Sequence, residues 1–185
     1  MTGVTARALR DEALSLLDLR GSILELAREI SRLMRREGIP GVVIGGIAVV
    51  LHGHLRVTKD VDVFLDQPLQ PIADLLIAEG FAYNQKRREF TRDGIPLHLV
   101  TLEQVAKPPR ETVEIEGITT VGLADLIEMK LSSGIRNMLR AQDLADAIGL
   151  IRHNGLTGEF AKHLDKSLRP TFRKLVKAIQ QEGIS

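Results

Sequence analysis

The 185-residue chain has no cysteine. Disulfides, thiol catalysis and thiolate metal sites are therefore excluded. It has no tryptophan and one tyrosine, and aromatic residues make up only 3% of it. The core must then be aliphatic, and the scarcity weakens any case for stacking single-stranded bases on an aromatic platform. Neither sign of charge dominates, since 25 Lys and Arg face 24 Asp and Glu. No global basic field exists to hold long nucleic acid. The local clusters Arg32-Leu33-Met34-Arg35-Arg36 and Lys86-Arg87-Arg88 read as solvated faces or turns, with contact to a small RNA as the other reading. Long hydrophobic runs are missing too. The longest, from Gly41 to Leu51, contains three glycines and is too short to span a bilayer. Charges interrupt the N-terminus throughout, so no signal-peptide core is expected there. These absences lead to the expectation of an intracellular, soluble protein with no membrane partner.

What is present alternates helix and strand. Leu16, Leu19, Ile23, Leu26, Ile30 and Leu33 recur at spacings of three and four, predicting helix over 5–37 with a break at Gly21 and a stop at Gly38-Ile39-Pro40. Gly41 to Ile44 is an apolar, β-branched run that reads as a buried strand. Gly45-Gly46 and a short helix to Gly53 follow. Asp60 to Leu65 alternates acid and apolar residues as a strand does, and Pro68 to Gly80 carries helix punctuation at both ends. Phe81 to Thr91 and Ile95 to Thr101 read as strands joined at Arg92-Asp93-Gly94, and Val113 to Val121 as a shorter pair around Glu116-Gly117. Helices are expected over 123–133, 137–153 and 169–181. The class is α+β: a small mixed sheet with flanking helices plus a C-terminal helical segment. The expected division is N-terminal helices over 1–37, an α/β core over 38–121 and a C-terminal helical region over 122–185, with soft points at 104–111 and 154–158.

The chemistry concentrates between Gly45 and Asp62. On a strand, residues two apart share a face, with Cα atoms about 7 Å apart. Asp60 and Asp62 thus set two carboxylates on one face, while Val61 and Val63 point into a core. At a separation of about 5 Å and an effective dielectric near ~20, their repulsion is about 3 kcal/mol. A divalent cation offsets it, and hard cations such as Mg²⁺ prefer carboxylate oxygen. Gly45-Gly46, at a strand-to-helix junction, lets a ligand approach the backbone, and amides at a helix start favour an anion such as phosphate. Either feature alone is common. Together they suit metal-assisted nucleotide chemistry.

Ile44-Gly45-Gly46, thirteen residues, then Asp60-Val61-Asp62-Val63 resembles the signature of the nucleotidyltransferase superfamily related to polymerase beta. Ala48, His52-Gly53, Arg56 and Thr58 are similar to the intervening pattern in bacterial members. Leu126 to Lys130, Arg136, Arg140, Gln142-Asp143 and Asp146 are similar to helical motifs of the abortive-infection branch, which with related minimal nucleotidyltransferases supplies type IV toxins of toxin–antitoxin pairs. The resemblance spans about Val42 to Ile151. It implies the nucleotidyltransferase fold and transfer of a nucleotidyl group from a nucleoside triphosphate to an acceptor hydroxyl, with Mg²⁺ or Mn²⁺ as cofactor. The acceptor is open among a tRNA, a protein and a small molecule, and an antitoxin partner is possible. By the same resemblance Gly45, Gly46 and Thr58 belong to the nucleotide site, Asp60 and Asp62 hold the metal, Lys130 contacts phosphate or positions the nucleotide, and Asp143 faces the cleft.

The sequence departs from the family at the third carboxylate. Within Ile95 to Val100 the residue of the right polarity and phase is His98, not an acid. His98 can act as a general base, bind a softer metal such as Mn²⁺, or mark a site that binds nucleotide without transfer. Asp66 shares the parity of Asp60 and Asp62 and is a partial substitute at the strand end, whereas Asp93 reads as a turn residue. His52 and His54 read as a helix end, where an imidazole suits the dipole, rather than as metal ligands. Lys130 has a plain solvated reading. Arg136, Arg140, Asp143 and Asp146 have the spacing of a helix-surface ion-pair lattice. A helical partner-binding protein with a merely structural acidic strand is the remaining alternative.

Overall fold

A computed structural model describes residues 22–105 and 107–182. Its elements, in order, are α1 (Ser22–Arg36), β1 (Gly41–Ile44), α2 (Gly45–Leu51), β2 (Val61–Leu65), α3 (Leu69–Ala78), β3 (Ala82–Asn84), β4 (Glu89–Arg92), β5 (Ile95–Val100), β6 (Thr112–Ile115), β7 (Ile118–Val121), α4 (Leu123–Arg136), α5 (Ala141–His153) and α6 (Arg169–Glu182). The expected helical residues Leu16 and Leu19 and the break at Gly21 lie outside the described residues. No described helix is long and apolar enough to cross a membrane.

The seven strands form one mixed sheet in the order β3-β4-β5-β2-β1-β7-β6. β2 runs antiparallel to β1 and parallel to β5, and β1 runs parallel to β7. Strand alternation divides the core. Val43, Val61, Val63, Leu65 and Leu97 point to one face, where Leu24, Ala27, Ile30 and Met34 of α1 and Ile72 and Leu76 of α3 cover them. Ile44 and Phe64 point to the other, against Leu126, Leu131, Leu150, Ile151 and Phe172 of α4, α5 and α6. Period two thus assigns Asp62, between Val61 and Val63, to the face of the C-terminal helices.

Two hairpins turn on paired positive φ angles. Asp93 and Gly94 have φ of 51° and 80°, and Glu116 and Gly117 have 51° and 77°. Such pairs suit the right-handed twist of the strands they join. Three sequence expectations need correction. The strand expected over Phe81 to Thr91 is two strands, because a turn at Gln85 to Arg88 interrupts it and sets Arg88 at a φ of 54°. Asp60 lies one residue before β2 rather than inside it. The helix expected from residue 137 begins at Ala141, preceded by a 3₁₀ turn over Met138–Arg140 that Asn137 caps through its side chain.

Candidate functional site

The register of three strands assembles the site. Ile44 at the end of β1 lies opposite Asp62, and Asp62 lies beside His98 on β5. Because β1 runs against β2, its last residue delivers the chain into Gly45 and α2 next to the Asp62 carboxylate. Gly45 has a φ of 69°, and a methyl group built on it would overlap the Asp62 carboxylate. A methyl on Gly46 would overlap the Thr58 side chain. Both glycines therefore serve a close approach, and a bulkier residue at 45 would also be strained in its backbone. Thr58 is buried, and its hydroxyl is 3.4 Å from the Asp60 carbonyl oxygen.

Asp60, Asp62 and His98 each offer a donor atom, and these atoms lie within 4.8 Å of one another. His98 Nδ1 is 3.1 Å from Asp62 Oδ1 and 3.6 Å from Asp60 Oδ2. Two carboxylates and an imidazole are a donor set that fits a divalent cation. Among the described residues this is the group that can hold a metal. Asp66 is not in it, since it is exposed at the far end of β2 and lines a different groove. His52 and His54 are not in it either. His52 Nε2 lies 2.8 Å from the Val121 carbonyl oxygen, tying the end of α2 to β7, and His54 packs on Gly149 of α5.

A further residue, not anticipated from the sequence, completes the cluster. Glu89, at the start of β4, is buried, and its Oε2 is 3.2 Å from His98 Nε2. The signal that could have found it is the Asp93-Gly94 turn. That turn pairs Arg92 with Ile95 and Phe90 with Leu97, and one step further along the ladder sets Glu89 opposite His98.

The electrostatics follow from burial and like charge. Burial pushes the Asp62 carboxyl above the usual range, and the charge of Asp60 adds to this against the opposing pull of His98 and Lys130. Burial alone would lower His98, but hydrogen bonds to Glu89 and Asp62 and the charges of Asp62 and Asp60 outweigh it and raise its pKa. A raised imidazole pKa contributes stability that is complete below the unfolded value of about 6.5 and is lost as pH rises through the folded one. The melting temperature of the metal-free protein is therefore expected to fall from pH 6 towards higher pH, and less so in His98→Asn. Thermal scans across that range check this; parallel profiles for the two proteins would contradict it.

Behind the aspartates, α4 and α5 hold a buried polar knot. Lys130 Nζ lies 2.8 Å from Asp143 Oδ1 and 2.8 Å from Asp146 Oδ2. Arg140 Nε donates to Asp143 at 2.6 Å. Arg56 and Gln142 donate to Asp146 at 3.1 and 2.9 Å. Asp143 loses some carboxylate stability to burial, but hydrogen bonds from Lys130 and Ser133 and the lysine charge hold it below its usual range. The solvated reading of Lys130 is thus incorrect, for Lys130 is 7% exposed. The surface-lattice reading is also corrected: Asp143 and Asp146 turn inward to a lysine on the neighbouring helix, and only the Arg140–Asp143 contact has the i,i+3 form.

A cleft of about 430 Å³ runs from Gly45 and Asp62 to Lys130, Ser133, Arg136 and Arg140. Three of those six residues are cationic, and Asp62 is the acid among them.

No protein-family model matches the chain, and no curated protein sequence does. Solved structures do. An antigenic nucleotidyltransferase-like protein from Paracoccidioides brasiliensis superposes with a TM-score of 0.53 at 18% identity, covering 83% of this chain and 91% of the other. ANT(2'')-Ia in complex with adenylyl-2''-tobramycin gives 0.55 at 16%, covering 81% and 96%. A putative nucleotidyltransferase from H. pylori gives 0.53 at 16%, covering 93% and 96%. At such identities the likeness lies in architecture: a mixed seven-stranded sheet with helices on both faces, which is the nucleotidyltransferase fold.

Proposed function

We propose that the protein is a metal-dependent nucleotidyltransferase that moves a nucleotidyl group from a nucleoside triphosphate to an acceptor hydroxyl. The observation that carries this reading is the meeting of Asp60, Asp62 and His98 beside Gly45, with Gly45 and Asp62 opening on a cleft that Lys130, Arg136 and Arg140 also line. In the reaction the acceptor oxygen attacks the α-phosphorus, and the bond to the bridging oxygen breaks to release pyrophosphate. The hydroxyl proton goes to a carboxylate oxygen of Asp60 or Asp62. A divalent cation held by Asp60, Asp62 and His98 supplies neutralisation of phosphate charge. Gly45 and Gly46, supported by Thr58, receive the triphosphate at the start of α2. Lys130 has three N–H groups, two of them engaged by Asp143 and Asp146; the third serves a phosphate oxygen. Asp143 fixes Lys130 at the cleft wall, and Arg136 and Arg140 extend the cationic surface.

The test is incubation with α-labelled nucleoside triphosphates, Mg²⁺ or Mn²⁺, and tRNA, protein or small-molecule acceptors. Label transfer that disappears in Asp60→Ala is the expected result. Metal-dependent binding without transfer to any acceptor would instead identify a nucleotide-binding regulator, and no nucleotide binding at all would sink both readings. A toxin role rests on the likeness of the α4 and α5 motifs to the toxin branch. It requires growth arrest on expression that Asp60→Ala abolishes and an antitoxin partner relieves.

A further inference from the structure

His98 is flanked by acid on both sides. Nε2 meets Glu89 Oε2 at 3.2 Å, and Nδ1 meets Asp62 Oδ1 at 3.1 Å with Asp60 Oδ2 at 3.6 Å. An ionised carboxylate only accepts hydrogen bonds. The Glu89 contact therefore requires the proton on Nε2, and the Nδ1 lone pair of the neutral ring then faces two more carboxylates. Only a cation fits between Nδ1 and those oxygens: a proton or a metal ion.

Glu89 is well placed to impose this arrangement. Its side chain is 8% exposed, and its other close charge is Arg87 at 3.5 Å, a residue whose own side chain is 72% exposed. Burying a carboxylate is costly unless it is paired and hydrogen-bonded. Here the less exposed partner is His98, with a side chain 34% exposed, and the pair lies one step beyond Phe90 and Leu97 on neighbouring strands rather than on a flexible loop. A ligating histidine whose second nitrogen donates to a carboxylate is held in one tautomer and one orientation, and it is a more basic ligand.

We infer that Glu89 is a positioning residue for the metal site: it takes the Nε2–H of His98, so that Nδ1 joins Asp60 and Asp62 as a nitrogen ligand and the site favours a transition-metal ion over Mg²⁺. The acid missing from the third ligand position is displaced by one strand and acts through the imidazole. This inference rests on the Asp60–Asp62 metal reading.

The test uses Mn²⁺ and the full chain. Pulsed electron paramagnetic resonance of the Mn²⁺-loaded protein should show coupling to one directly bound imidazole nitrogen, and the coupling should vanish in His98→Asn. In Glu89→Ala the Mn²⁺ dissociation constant should rise about tenfold or more, with the nitrogen coupling weakened or lost. Glu89→Gln, whose amide oxygen still accepts the Nε2–H, should retain the coupling and most of the affinity. His98→Asp should shift preference towards Mg²⁺. If Glu89→Ala does not fold, the wild-type spectrum and the Gln variant still decide. Mn²⁺ binding that needs Asp60 and Asp62 but shows no nitrogen coupling would overturn the role of Glu89 and leave the metal reading standing. Mn²⁺ binding unchanged in Asp60→Asn and Asp62→Asn would overturn the metal reading itself.

Discussion

Lys130→Met is expected to destabilise the protein by about 3–5 kcal/mol, the cost of removing one partner from a buried ion pair. For a chain of this length that corresponds to a fall in melting temperature of about 10 °C. Methionine fills much of the lysine's volume, so the loss reads charge rather than packing. Asp143 keeps its bond from Arg140, and Asp146 keeps Arg56 and Gln142. Each carboxylate nevertheless loses a contact of 2.8 Å while its side chain is 8% exposed or less. Adding Asp143→Asn to Lys130→Met should recover part of the loss, because an amide in that position leaves less charge unpaired; a double-mutant cycle measures the coupling directly. The pH dependence is a second check. Asp143 sits below its usual range, so its contribution is present above the unfolded pKa of about 3.9 and is lost as pH falls through the lower folded value. Acidification should therefore narrow the gap between wild type and Lys130→Met. A Lys130→Met melting temperature within a degree or two of wild type at neutral pH would contradict the account of the knot.

Asp62→Asn should behave in the opposite way, abolishing function while sparing the fold. Turnover in the label-transfer assay is expected to fall by about 10²- to 10³-fold, the effect of losing several kcal/mol of transition-state charge stabilisation. Stability should hold or rise. The Asp62 carboxyl is pushed up by burial and by Asp60, so folding works against its ionised form. An amide of the same shape removes that repulsion and keeps an oxygen within reach of His98. Loss of activity with gained stability is the pattern of a site strained for function. Activity above about a tenth of wild type in Asp62→Asn would remove Asp62 from the reacting centre.

Much of this was readable in advance because local patterns carried it. The β-branched run at Val42-Val43-Ile44, the alternation in Val61 to Leu65 and the Asp93-Gly94 turn determine strands and a hairpin without reference to distant residues. His98 could be placed by parity on β5. Glu89 could not, because its importance depends on which strand lies beside β5 and in what register, and the turn at Gln85 to Arg88 obscured where β4 begins. The Lys130 knot was hidden for a related reason. The i,i+3 spacing of Arg140 and Asp143 describes a helix surface, and only the packing of α5 on α4 turns Asp143 and Asp146 inward. Sequence periodicity reports which face of a helix is apolar. It does not report which charged residue that face meets.

The empty space where Gly45 would carry a side chain is the space the Asp62 carboxylate occupies. The two positions are therefore sterically coupled. In a library randomised at both and selected only for a folded product, alanine at 45 should survive chiefly beside a residue smaller than aspartate at 62, with the left-handed backbone at 45 still favouring glycine. Selected for activity, the same library should return glycine and aspartate together.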